Sequence, residues 1–199
     1  SVVISTAIND WNIYIPHNPC KLMKRESEAR PRTKIVEPEE ITQLVEVCAL
    51  SENVYLKPMV QFSLETAVRQ GELLKIKYNH VDWKNRLLHL NDTKNGEDRT
   101  IPLSQKAFLI LSSLPRQFDG RLFPITRHGL KFYWRQALKK TNIVGLRWHD
   151  LRRTAITALF EEKGLDVPSV QLISGHKNPM VLLNTYTKLD PKKLLKKLG

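Results

Sequence analysis

The sequence predicts an α+β domain, mainly helical, with one small three-stranded antiparallel sheet. Three observations carry that reading. Apolar residues recur at helical spacing through most segments after residue 36. One central stretch, 81–103, instead shows short apolar runs broken by turn residues. No apolar run approaches the roughly 20 residues that a membrane helix needs. With 199 residues, 41% hydrophobic and 26% charged, there is room for one full-sized domain plus a short extra segment. That composition excludes a collagen-like, fibrous or wholly disordered chain.

Residues 1–35 read as the end of a helix (1–11) followed by a linker. The run IPHNPCKLMKRESEARPRT has three prolines, mixed charge and no apolar period, so extended chain is expected there. Glu37-Pro38-Glu39-Glu40 opens a helix, with proline in the first turn and carboxylates at the positive end of the dipole. Ile41, Leu44, Val45 and Cys48 continue it. A second helix is expected over 56–68 and a further turn over 71–76. Val81-Asp82-Trp83 and Leu87-Leu88-His89-Leu90 flank the turn Lys84-Asn85-Arg86, and Asn95-Gly96 signals a second turn before Thr100-Ile101-Pro102-Leu103. Helices follow at 107–114, 130–140, 149–162, 167–173 and 179–187, with a short basic helix at 191–198.

Charge points to a partner. Lys and Arg number 32 against 20 acids, a formal +12. Eight basic residues and one acid fall in 127–153, and six lysines and one acid in 176–199, whereas 37–52 is acidic. Concentrated basic charge fits a phosphate backbone, and no amphipathic anchor favours a membrane. The N-terminal residues lack the pattern of a signal peptide. Cys20 and Cys48 match no metal-ligand spacing and form no disulfide framework. A reducing, intracellular setting is therefore expected.

Candidate chemistry lies partly in the basic segments and partly ahead of them. His149 and Arg152 stand at i and i+3 on one helix face, where two donors suit one phosphate. Arg69 sits at a helix end with Glu72 three residues on. Lys94 falls at the tip of the hairpin, placed to act as a proton donor. His176 follows Gly175 ahead of a helix start, and Tyr186 is a potential nucleophile near a helix end. Taken singly, each has a plainer reading: a surface arginine paired with Glu65 or Glu72, a solvated lysine, a capping histidine, a half-buried aromatic. Other chemistries lack their motifs. There is no glycine-rich phosphate loop, HExxH, Cys/His cluster or G-x-S-x-G elbow.

Taken together, the order Arg, Lys, His-x-x-Arg, Gly-His, Tyr resembles the catalytic domain of the tyrosine recombinase, or phage integrase, family. The matching stretches are ETAVRQGELLKI, TKNGEDRTIPLS, LRWHDLRRTAIT and LISGHKNPMVLLNTYTKL. The resemblance implies a catalytic domain over 36–190. Residues 1–35 would be the remnant of a DNA-binding domain with its linker, and 191–199 a basic C-terminal tail. It implies Arg69 and Arg152 as phosphate clamps, Lys94 as the hairpin lysine, His149 and His176 as further donors, Tyr186 as nucleophile and Glu72 as an accessory acid. Tyr186 follows His176 by ten residues, one more than is common in the family. The implied partner is double-stranded DNA. The protein would be a monomer alone and a homo-tetramer on paired sites, with no cofactor or metal, because guanidinium groups supply the positive charge. The alternatives are relaxation by a type IB topoisomerase, a DNA-binding regulator that does not cut, and a basic RNA-binding domain.

Overall fold

In the computed structural model, residues 2–21, 23, 34–91 and 98–186 are described. The chain divides into two compact units, Ser1–Arg32 and Thr33–Gly199.

The first unit holds α1 (Val2–Asn9) and a 3₁₀ turn at Pro19–Lys21. Extended chain was expected at that turn. Instead Asn18 donates Nδ2–H to Ser5 Oγ at 3.0 Å and accepts from the Cys20 N–H at 3.1 Å. Such a side-chain-to-backbone bond stabilises a turn that periodicity does not reveal.

The second unit is helical around a small sheet. α2 (Pro38–Ala49) starts where Pro38 and the acids predict, and the Glu40 carboxylate accepts the Glu37 N–H at 3.1 Å. α3 (Leu56–Thr66) is the central helix, with Leu56, Met59, Val60 and Phe62 fully buried. It stops two residues short of the expected end because Ala67 is left-handed, at φ 54°. α4 (Gln70–Leu73) is a single turn. The sheet comprises β1 (Val81–Asp82), β2 (Leu87–Leu90) and β3 (Arg99–Pro102), antiparallel in the order β1-β2-β3. Leu88 pairs with Val81 on one side and Ile101 on the other, and all three are buried. This puts one sheet face on the core. The Asn95-Gly96 turn and Lys94 lie outside the described residues.

Five helices follow: α5 (Gln105–Ser112), α6 (Arg127–Lys139), α7 (Trp148–Glu161), α8 (Val167–Ser174) and α9 (Pro179–Tyr186). Ser104, Thr126 and Asp166 cap α5, α6 and α8 through their side-chain oxygens, at 3.1, 3.0 and 2.9 Å. The basic helix expected at 191–198 lies outside the described residues. One large apolar cluster joins α2, α3, the sheet, α5 and α6. A smaller one, built from Ala67, Ala155, Ile156, Leu159, Val170, Ile173 and Leu182, joins α7, α8 and α9, and Tyr186 packs against it. Among the described residues no helix is long and apolar enough to cross a membrane.

Candidate active site

Arg152 anchors the site. It is 4% exposed, and the small apolar cluster flanks it. Its Nη1 donates to the Ala67 carbonyl and its Nη2 to the Ser174 carbonyl, each at 2.6 Å. Those carbonyls end α3 and α8, where the helix dipole is negative, so two helix C-termini hold one guanidinium. The left-handed Ala67 that shortens α3 is the residue that turns its carbonyl to Arg152. Burial, then Arg69, lowers the Arg152 pKa to about 10, which leaves it a cation at neutral pH.

Arg69 precedes α4 and is tied down on two sides. Its Nη1 donates to Glu72 Oε1 at 2.8 Å, and its Nη2 to the Gly175 carbonyl at 2.6 Å. The Arg69 N–H also donates to Glu72 Oε2 at 2.9 Å. The plain reading of an arginine paired with Glu72 is thus correct as to the partner, but the pair faces into the site. Glu72 is buried and shared, since Arg99 of β3 donates both terminal amines to it at 2.9 Å each. Burial alone would raise the Glu72 pKa. The hydrogen bonds from Arg99 and Arg69 outweigh it and leave the carboxyl at about 2.

Arg99 was not singled out from the sequence, although a signal was present. It shares the face of Ile101 and Leu103, both buried. A cation on the core face of a strand demands a buried counter-charge.

The two histidines complete the pocket. His176 Nδ1 lies 2.8 Å from Ser174 Oγ, and its ring centroid lies 6.5 Å from that of Tyr186. Burial, then Arg152 and Arg69, depresses the His176 pKa to about 4. Burial likewise lowers His149, helped by Arg152, Arg153 and Arg69 and opposed by Asp150. Both imidazoles are therefore neutral at pH 7. Tyr186, the last residue of α9, is within electrostatic reach of Arg152. The structure thus gathers Arg69, Glu72, His149, Arg152, His176 and Tyr186 in one place. Lys94, the remaining candidate, lies outside the described residues.

The depressed histidine has a consequence for stability. Its folded pKa lies below its ordinary 6.5, so the unfolded chain binds the extra proton between pH 6.5 and about 4. The His176 contribution is complete above pH 6.5 and is lost as pH falls toward 4. Allowing for its partial exposure, the loss is about 2 kcal/mol, or roughly 4–8 °C in Tm for a domain this size. Melting curves from pH 7.5 to 4.5 should show this decline, and His176→Gln should flatten it. A parallel decline in both proteins would assign the effect elsewhere. Glu72 adds its own loss only at lower pH, from about 4.5 down through 2.

Fold and pocket together define a helical α+β domain in which three arginines from three chain segments and two neutral imidazoles gather beside one phenol. The chain belongs to the phage integrase family, whose model matches residues 34–193. It is 35% identical over 181 residues to the shufflon-specific DNA recombinase of Escherichia coli, covering 91% of this chain and 47% of that protein. It is 22% identical over 214 residues to the integrase of Salmonella phage P22, covering 96% of this chain and 52% of that one. The chain thus spans about half the length of these curated relatives. The catalytic domain of bacteriophage HP1 integrase superposes with a TM-score of 0.65 at 23% identity, over 84% of this chain and 94% of that one. A lambda integrase tetramer bound to a Holliday junction gives 0.71 at 18% identity, over 96% and 57%. At these identities the structures establish the shared fold.

Proposed function

We propose that this chain is the catalytic portion of a site-specific DNA recombinase that cleaves and rejoins DNA through a 3′-phosphotyrosyl intermediate. The gathering of Arg69, His149, His176 and Tyr186 around Arg152 carries the proposal. On this reading residues 36–190 form the catalytic domain, and 1–35 are the end of a DNA-binding domain with its linker.

A phosphodiester resists attack because it is anionic. Arg69 and Arg152 neutralise its nonbridging oxygens, and the imidazoles add donors where charge grows in the transition state. If the Ser174 hydroxyl donates to His176 Nδ1, the ring keeps its proton on Nε2, ready to face the phosphate. His149, neutral at pH 7, accepts the phenol proton as Tyr186 Oη bonds to phosphorus. The P–O5′ bond breaks, and Lys94 protonates the departing 5′-oxygen. The phosphotyrosyl link conserves the bond, so a 5′-hydroxyl of another duplex reverses the step without ATP. Tyr186 shares its pocket with Arg152 of the same chain, which supports cleavage in cis.

Double-stranded DNA is the proposed substrate. α6 supports it, presenting Arg127, Lys131, Arg135 and Lys139 at i, i+4 spacing. Its first residue is close to the site: Arg127 Nη2 lies 3.6 Å from where a Cβ on Gly71 would stand. The helix therefore carries positive charge outward from α4. By analogy with the tetrameric lambda integrase, four protomers assemble on paired sites from a free monomer, and the tail 191–199 docks on a neighbour. The bacterial and phage relatives support action in the bacterial cytoplasm, at the nucleoid.

The test is covalent trapping. A duplex site selected by the protein from randomised DNA is nicked a few nucleotides 3′ of the scissile phosphate, so that the short downstream fragment bearing the new 5′-hydroxyl diffuses away. The expected product is a protein–DNA adduct resistant to denaturant, with the 3′-phosphate mapped to the peptide containing Tyr186. Binding without an adduct would instead identify a DNA-binding regulator. Relaxation of supercoiled DNA lacking paired sites would identify a topoisomerase.

A further inference from the structure

We propose that Arg99 is a positioning residue for catalysis, which sets the Arg69 guanidinium through Glu72; this rests on the phosphotyrosyl reading above. Arg99 is poorly placed to touch DNA itself. Both its terminal amines go to one carboxylate, Glu72, which offsets its charge. Arg152 instead bonds neutral carbonyls, and Arg69, whose side chain is 24% exposed against 11% for Arg99, gives one amine to the Gly175 carbonyl. The Arg99 Nε is buried with no partner among the described residues, so the residue has been drawn inward at the expense of one donor.

The connections around it form a closed circuit. Each Glu72 oxygen accepts from both arginines: Oε1 from the Nη1 atoms of Arg69 and Arg99, Oε2 from the Arg69 N–H and Arg99 Nη2. The fork of Arg99 thereby fixes the plane of the carboxylate, and that plane fixes Arg69. Arg69 reaches on to the Gly175 carbonyl, and the Arg99 guanidinium closes the circuit by lying against Gly175 itself. A Cβ there would stand 2.7 Å from Arg99 Cζ, and Gly175 has φ 68°, so glycine suits the position twice over. Gly175 joins Ser174, which accepts from Arg152, to His176. One strand residue thus braces three members of the site.

Charge leads to the same assignment. Without Arg99, Glu72 would face Arg69 alone, and the pair would be neutral. With Arg99 the trio carries a net positive charge, and Arg69 keeps its attraction for phosphate. A lysine at 99 preserves the charge but not the planar two-pronged grip.

The experiment measures single-turnover cleavage of the nicked selected duplex at saturating DNA, together with Kd for that duplex and Tm. Arg99→Met is expected to lower the cleavage rate about 100-fold, the scale of an ångström-level misplacement. Kd should stay within about threefold, and Arg99→Lys should recover about tenfold. Because Arg99 acts through Glu72, R99M should add nothing once Glu72 is replaced: the double variant R99M/E72Q should cleave at the rate of E72Q alone. Wild-type cleavage by R99M, or a loss explained wholly by Kd or by the folded fraction, overturns the proposal. So does an additive loss in the double variant. If R99M does not fold, R99K decides the matter, and wild-type cleavage by R99K overturns the role of the fork. Failure of the wild type to form an adduct removes the phosphotyrosyl reading as well, whereas a Tyr186 adduct with an unaltered R99M rate removes this inference alone.

Discussion

Tyr186→Phe should form no covalent adduct while binding DNA within about twofold of the wild type. The expected loss is at least ~10⁴-fold, the scale seen when a nucleophile is removed from a cooperative site. The substitution is clean because of how the ring is held. Tyr186 packs against the small cluster that includes Leu182, Ile173 and Ala155, and its centroid lies 6.5 Å from that of His176. Phenylalanine fills the same volume and removes only the oxygen. Tm should therefore stay within about 2 °C, since no core contact is lost. Arg69 and Arg152 keep their carbonyl and carboxylate partners, so the phosphate clamp remains. Adduct formation is read on denaturing gels and binding by anisotropy with the same duplex. Persistence of the adduct would make another side chain the nucleophile.

Much of the fold is legible from local signals, because the relevant physics is local. Pro38 with its acids marks a helix start that the structure contains, and the apolar spacing places α5 to α9 within a few residues of where they are found. Short apolar runs broken by turn residues over 81–103 yield the sheet, whose one face meets the core. What local patterns miss is tertiary. Nothing near Ala67 announces a left-handed residue; the conformation makes sense only with Arg152, 85 residues away, drawing on its carbonyl. The same holds for Arg99, whose counter-charge lies 27 residues back on another element. Within the site, His149 and Arg152 are visible through helical spacing, and Glu72 through its offset from Arg69. The order of the motifs connects these residues, and the structure then brings them together. Ser174 is the other residue that pattern alone passes over, because its part depends on the turn at Gly175 placing His176 beside its hydroxyl.

Arg152→Ala should lower cleavage by at least about 10³-fold, and Arg152→Lys should restore little of it. Loss of one preorganised donor from a transition state is worth roughly 10²–10³. Arg152 supplies more than one donor, because it also defines where Ser174 and His176 stand. Lysine offers a single point charge on a flexible stem and cannot reach the Ala67 and Ser174 carbonyls together as the guanidinium does at 2.6 Å each. The stability effect is smaller and has opposing parts. Alanine leaves two buried carbonyls without a donor, at about 1–3 kcal/mol apiece. It also relieves a buried cation that Arg69 and Arg99 oppose and Glu72 favours. Repulsion and desolvation offset part of the loss, so the net should be a destabilisation of about 2 kcal/mol, roughly 4–8 °C in Tm. A fall of that size leaves the protein folded at 25 °C, and single-turnover cleavage at saturating duplex then isolates the chemical step. Wild-type cleavage by the lysine variant would mean that charge alone suffices at this position, and that the two helix C-termini merely shelter it.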